Sequence, residues 1–317
     1  VRGLGCELRS AAHKVARVCG NIGAALAIAS GGAPTFDPSS DLSPHCQYRL
    51  DQGRSSACGG HAPAVWLVIA ASIAGIDLGF KGPPSQRHIY ACSRALEGPG
   101  GTGPLDDTGV MPADPILAIQ TMGIRGMDKG VNDNGAIVKT PDGRCSDVTT
   151  DADLKHVGSS ETGNVGLRPT AEELAASMRE LVLGSHAIDP AAPYFLETLA
   201  SALSGDANKG ILPRPITATI FVDTPFDAWG DSPQPGPLGG TPNFADKNGG
   251  GHYVTIVGHR TEADGSLSFL ILNSWSETWG VAPPSGGLPG LIWVTGAWLK
   301  ASCSESYAID LAVKVAA

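Results

Sequence analysis

Asp51-Gln52-Gly53-Arg54-Ser55-Ser56-Ala57-Cys58 leads into the apolar run His61-Ala62-Pro63-Ala64-Val65-Trp66-Leu67-Val68-Ile69-Ala70-Ala71. That run is long enough for a buried helix, and Pro63 suits a first helical turn, where an N–H is not needed. The pattern predicts a helix over 62–74, with Cys58 at or just before its positive end. A cysteine thiol ordinarily titrates near ~8.5, and a helix N-terminus or a nearby imidazolium raises its thiolate fraction. Cys58 is therefore a candidate nucleophile, set against the commoner role of a buried structural cysteine. Gln52, six residues earlier, supplies a side-chain amide.

The second decisive stretch runs from Gly250-Gly251-His252 to Asn273-Ser274-Trp275. Tyr253–Val257 and Ser268–Leu272 read as strands, and the turn-rich Thr261-Glu262-Ala263-Asp264-Gly265 between them predicts a hairpin. His252 then opens one strand and Asn273 closes the next, side by side at one end. An Asn side-chain oxygen can accept a proton from one imidazole nitrogen and leave the other to face a sulfur.

With these segments in place the chain resembles the papain-like cysteine peptidases, in particular bacterial members with the Asp51-Gln52-Gly53 start. The order Gln52, Cys58, His252, Asn273 is the family's, and Asn273-Ser274-Trp275 with Trp279-Gly280 matches its late segment. Ser85–Cys92, Asp107-Thr108-Gly109, Ile116–Gln120, Gly123-Ile124 and Gly290–Val294 extend the resemblance from about Pro34 to the end. It implies an α+β, two-lobed papain-like fold: a helical lobe whose central helix starts at the nucleophile, an antiparallel sheet or barrel lobe, and an active site in the cleft between them. It implies Cys58 as nucleophile and His252 as general acid/base. Asn273 would orient the imidazole, and Gln52 with the Cys58 N–H would form the oxyanion hole. Trp275 would shield the His252–Asn273 hydrogen bond, and Gly100, Gly101, Gly251 and Trp275 would line the substrate site. The implied reaction is peptide hydrolysis through a thiolate–imidazolium pair and a thioester. Acyl transfer or peptide ligation on the same thioester, and a catalytically silent binding module, are the alternatives. Four positions depart from the family pattern: Gly59 and His259 replace aromatics, Ser55 a disulfide cysteine, and Ser276 a glycine.

The rest of the sequence bounds this reading. With 42% hydrophobic and 17% charged residues it is a globular composition, and a net charge of −9 argues against nucleic acid, which is bound through Lys and Arg. No stretch reaches the ~18–20 apolar residues of a membrane span. No metal-ligand spacing or cofactor motif stands out; Asp37, Asp41, Asp51, Asp106 and Asp107 read as surface and turn acids. The expected partner is a peptide or protein substrate, and the expected state a monomer.

If Cys58 stays reduced, the other six of the seven cysteines allow fifteen pairings. The family resemblance favours Cys92–Cys145, with Cys6–Cys19 and Cys46–Cys303 as companions, and disulfides would imply an oxidising, secreted or extracytoplasmic location. Residues 1–33 are expected to be a helical extension (helix near 10–29) or partial prosegment, as in a zymogen, with the peptidase domain over 34–317. Helices are expected at 84–95, 114–121, from a capping box at Thr170-Ala171-Glu172-Glu173 to about Leu183, and at 191–203. Strands are expected at 216–222, 291–294 and 307–312. Segments 132–166 and 226–249 read as insertions, and 226–251 as a long loop.

Overall fold

The computed structural model describes residues 33–46, 48–53, 55–80, 82–97, 107–127, 174, 181–276, 278–287 and 289–313. Outside them lie Gly100, Gly101, Cys6, Cys19, Cys145, the N-terminal helix, the 132–166 segment and most of the helix expected from Thr170.

Helix α1 spans Cys58–Ala74 and is buried along nearly its whole length. It begins at the cysteine itself, four residues before the expected start, so Pro63 falls in the second turn. There its missing N–H cannot reach the Gly59 carbonyl. Gly75, at φ 65°, ends the helix, a left-handed cap that glycine adopts without a Cβ clash. Helices α2 (Gln86–Glu97) and α3 (Asp114–Met122) pack on α1 to complete a helical layer. A Cβ on Gly60 would lie 2.2 Å from the Gln86 carbonyl oxygen, so glycine is what lets the start of α2 rest directly on α1.

The second layer is one antiparallel sheet. Its strands are β1 (Ser39–Asp41), β2 (Leu181–Ala187), β3 (Ile216–Val222), β4 (Gly250–Thr261), β5 (Leu267–Leu272), β6 (Leu291–Thr295) and β7 (Cys303–Val313). The order is β2-β7-β3-β4-β5-β6, with β1 pairing the far half of β4. The sheet is open, which corrects the barrel alternative. Strand β3 is buried at every position, as expected of a central strand covered on both faces. Its extent matches the expected 216–222. The β4–β5 hairpin forms as expected, closed by Glu262 N–H to Ser266 O (2.8 Å) and Gly265 N–H to Glu262 O (2.9 Å).

Three elements differ from expectation. Leu181–Leu183, expected as the end of a helix, are strand, because pairing with Leu311–Val313 of β7 overrides local helix propensity. The expected loop after 226 instead begins as helix α5 (Thr224–Asp231), following α4 (Phe195–Ser204). Asp223 Oδ1 caps α5 by accepting from Phe226 N–H (3.1 Å), and Phe226 and Trp229 are buried. Helix α6 (Gly296–Ser302) is capped by Thr295 accepting from Trp298 N–H.

Of the expected bridges only Cys46–Cys303 lies wholly among the described residues, and it is not formed; Cys92–Cys145 and Cys6–Cys19 involve residues outside them. Cys46, Cys58, Cys92 and Cys303 are all buried. The Cys46 thiol donates to the Tyr48 carbonyl (3.6 Å) and that of Cys303 to the Glu305 carbonyl (3.5 Å), so they do not form the expected bridge. Burial pushes the Cys46 thiol up to about 11, which keeps it protonated. Cys92 sits 3.5 Å from His88 Nε2 one helical turn away.

No helix among the described residues is long and apolar enough to cross a membrane.

Candidate active site

The two decisive sequence segments are hydrogen-bonded to one another. Gln52 N–H donates to Ser274 O (2.9 Å), Ser276 N–H to Leu50 O (3.4 Å), and Asp51 bridges to Trp275 in antiparallel fashion. Residues 50–52 thus form a short extension of the backbone just past β5. Side chains reinforce the join: Ser274 Oγ donates to Gln52 Oε1 (2.5 Å), and Gln52 Nε2 donates to Ser55 O (2.9 Å). Ser55 Oγ in turn donates to Gln52 O (2.7 Å). A buried hydroxyl here does the local fastening that a disulfide cysteine would do in relatives of the expected family.

Cys58 is the first residue of α1. The helix has no acidic residue in its first turn and no side-chain cap on Ala57, so the unneutralised positive end of the helix dipole lies at the cysteine. Cys58 is fully buried and packs with Ala62 and Tyr253. Thr255 Oγ1 donates to the Ala62 carbonyl (3.0 Å) and Tyr253 OH to the Pro112 carbonyl (2.8 Å). These bonds tie the start of α1 and the segment before α3 to the strand that carries His252.

His252 lies near the head of β4, opposite Ile220 of β3, and Asn273 directly follows β5. His252 Nε2 and Asn273 Oδ1 are 2.7 Å apart, and Ser274 N–H also donates to Oδ1 (2.8 Å). The acceptor side of the amide is thereby fixed, so Nε2 carries the proton and Nδ1 is the basic nitrogen. Nδ1 is buried with no hydrogen-bond partner among the described residues. Burial lowers the imidazole to about 4, against the opposing hydrogen bond from Asn273.

The Trp275 ring stacks on His252 with centroids 4.7 Å apart and planes 29° apart. Trp275 is itself held edge-on by Trp279 (5.4 Å) and Phe226 (5.8 Å), and Phe226 stacks on Trp298 of α6 (5.4 Å). Trp279 fits because residue 230 is glycine; a Cβ there would lie 1.8 Å from the indole. Helix α5, read from sequence as loop, is thus part of what positions the imidazole. Gly251 is buried in β4 opposite Phe221.

The departures noted in the sequence have local explanations. Val110 occupies the space over Gly59, where a Cβ would come 2.1 Å from Val110 Cγ2, so an aromatic there is replaced by a valine from another segment. His259 serves as a buried ring between Phe36 (5.7 Å, edge-on) and Phe269 (6.3 Å). Ser276 stands at φ 82°, a conformation that costs a non-glycine residue roughly 1–2 kcal/mol. Ser276→Gly is expected to raise stability by about 1 kcal/mol, net of the greater chain entropy of glycine. Thermal unfolding checks it: a rise of about 2 °C is expected, and a fall would show that the Ser276–Thr278 hydroxyl contact (2.8 Å) outweighs the strain.

Sequence reasoning set Asp107 aside as a surface or turn acid, yet its carboxylate accepts from the Ser56 N–H through both oxygens (3.1 and 3.0 Å) and from Tyr90 OH (2.8 Å). Burial raises its carboxyl above the ordinary range, partly offset by these donors. It fixes the backbone two residues before Cys58. The visible sign was its place two residues before a glycine in a segment of family resemblance, not any charge pattern.

No family model matches the sequence, and no curated protein matches it. Among solved structures the chain is similar to xylellain, a cysteine protease from Xylella fastidiosa, with a TM-score of 0.55 and 18% identity over 87% of this chain and 86% of that one. Digestive procathepsin L2 from Tenebrio molitor larval midgut gives 0.49 at 18% identity over 87% and 69%, and bromelain from Ananas comosus 0.46 at 14% over 86% and 98%. At these identities the likeness is one of architecture. With a helix beginning at Cys58 packed on an open antiparallel sheet that carries His252 and Asn273, the chain has the papain-like fold.

Proposed function

We propose that this chain is a cysteine peptidase acting on peptide or protein substrates. The observation that carries the reading is the His252 imidazole. Asn273 fixes one nitrogen and Trp275 covers the bond, while the other nitrogen is buried without a partner on the strand that packs against Cys58. Leaving a buried polar atom unsatisfied costs roughly 1–3 kcal/mol, a cost that makes sense for a nitrogen reserved for proton transfer.

In this reading the Cys58 sulfur attacks the peptide carbonyl carbon while its proton passes to His252 Nδ1. The carbonyl oxygen becomes an oxyanion, met by the Cys58 N–H and the Gln52 side-chain amide, donors typically worth ~3–4 kcal/mol of barrier each. Collapse breaks the C–N bond, and the amine leaves with the proton from Nδ1. Water then attacks the thioester carbonyl, giving one proton to Nδ1; the C–S bond breaks, Nδ1 passes that proton to the sulfur, and the product leaves as the carboxylic acid, which ionises in solvent.

Cys58→Ala is expected to abolish hydrolysis of a fluorescent casein substrate, with folding checked by circular dichroism. Undiminished hydrolysis by the folded variant would end the proposal.

A further inference from the structure

Ser55 and Ser56 are joined by a single peptide group, and side chains hold both of its polar atoms. Gln52 Nε2 donates to the Ser55 carbonyl (2.9 Å). On the opposite edge the Ser56 N–H donates to the Asp107 carboxylate (3.1 and 3.0 Å to its two oxygens). The C=O and N–H of a trans peptide point in opposite directions, so this one plane stands between the Gln52 amide and the Asp107 carboxylate. It also lies along the chain between Gln52 and Cys58, the two residues that supply oxyanion donors in the proposed reaction.

Asp107 is anchored from α2. Tyr90 OH donates to its Oδ1 (2.8 Å) and accepts from the Gly109 N–H (3.0 Å), while Arg94 donates to the Gly109 carbonyl (2.8 Å). Tyr90 and Val110 pack on Ala57, the residue before the nucleophile. The carboxylate thus belongs to a fastened joint between α2 and the start of α1.

Gln52 is held at its other end. Ser274 Oγ donates to Oε1, which settles which end of the amide is oxygen and which nitrogen. An amide nitrogen carries two protons. With one of them on the Ser55 carbonyl, the direction of the other follows from where that carbonyl points. The carbonyl points there because Asp107 holds the N–H behind it. A bond to a charged acceptor is roughly twice as strong as a neutral one, and it polarises the peptide so that the carbonyl accepts more strongly from Gln52. Turning the peptide over would lose both bonds at once.

We propose that Asp107 is a positioning residue for the oxyanion hole: through the Ser55–Ser56 peptide it aims the Gln52 side-chain amide at the substrate oxygen. It exchanges no proton with substrate. The inference rests on the roles of Cys58 and Gln52 in the peptidase reading above.

Two reactions of the same thiol test it. Acetylation of Cys58 by p-nitrophenyl acetate, timed by nitrophenol release and located by mass spectrometry, passes through an oxyanion; alkylation by iodoacetamide does not. Asp107→Ala is expected to slow acetylation by about tenfold and to leave alkylation within about twofold of wild type. Gln52→Ala should slow acetylation by about 100-fold. Adding Asp107→Ala to it should cost less than about twofold more, because the group through which Asp107 acts is gone. Asp107→Asn keeps the shape and one acceptor oxygen, so it should lose about threefold alone and nothing measurable in Gln52→Ala. That variant carries the test if Asp107→Ala does not fold. Losses that multiply in the double variant, or alkylation that falls along with acetylation, overturn the assignment. So do undiminished acetylation in both Asp107 variants and a wild-type Cys58 that is not acetylated. Casein hydrolysis is followed in parallel: its absence in a wild type whose acetylation rates behave as expected ends the peptidase reading and upholds the positioning role.

Discussion

His252→Ala is expected to lower the rate of peptide hydrolysis by about 10³–10⁴-fold, close to the full contribution of a positioned acid/base group. In the proposed reaction the same imidazole serves both halves, so neither acylation nor deacylation escapes the loss. Asn273→Ala should cost less, roughly 10–100-fold, because the amide orients the ring and fixes its tautomer without exchanging protons with substrate. Trp275 still holds the ring plane from one side, so the imidazole of that variant keeps part of its alignment. Initial rates on fluorescent casein at saturating substrate separate the two. A His252→Ala protein that keeps more than a tenth of wild-type activity would remove the imidazole from the chemistry. An Asn273→Ala loss equal to that of His252→Ala would make the amide as indispensable as the base.

Gly60→Ala is expected to be the most destabilising conservative change in the helical layer, at about 3 kcal/mol, or roughly 6 °C in melting temperature. The added methyl would stand 2.2 Å from the Gln86 carbonyl oxygen and 3.0 Å from Tyr90 Cβ. The nearest atom is backbone at the start of α2, so no rotamer change relieves the overlap and the helix itself must shift. Tyr90 also donates to Asp107, which accepts from Ser56, two residues before Cys58. Displacement of α2 should therefore lower activity as well as stability. Thermal unfolding with a parallel activity assay checks both; an unchanged melting temperature would mean that α1 and α2 separate at little cost.

The placement of Cys58, His252 and Asn273 was readable because each residue stands in a local pattern: a cysteine before an apolar run, a histidine and an asparagine at facing ends of a hairpin. Strand β3 was equally readable from its run of Ile, Thr and Val. Elements held by distant partners were not. Helix α5 contains Pro225 and Gly230, which resemble loop punctuation, and its burial comes from Trp275, Trp279 and Trp298, far along the chain. Strand β2 exists through pairing with β7, more than a hundred residues later. The cysteine count suggested bridges, but parity carries no geometry; Cys46 and Cys303 each bond a nearby carbonyl instead. Asp107 looked like any turn acid until the Ser56 backbone and Tyr90 came to meet it.

The most direct test of the account is stoichiometric labelling of the native protein by an epoxide-type thiol reagent, with the modified residue located by mass spectrometry and hydrolysis followed in parallel. The account predicts one label per chain, on Cys58 at the start of α1, with hydrolysis falling in proportion and no labelling of Cys46, Cys92 or Cys303. Hydrolysis that persists after Cys58 is fully modified would contradict it.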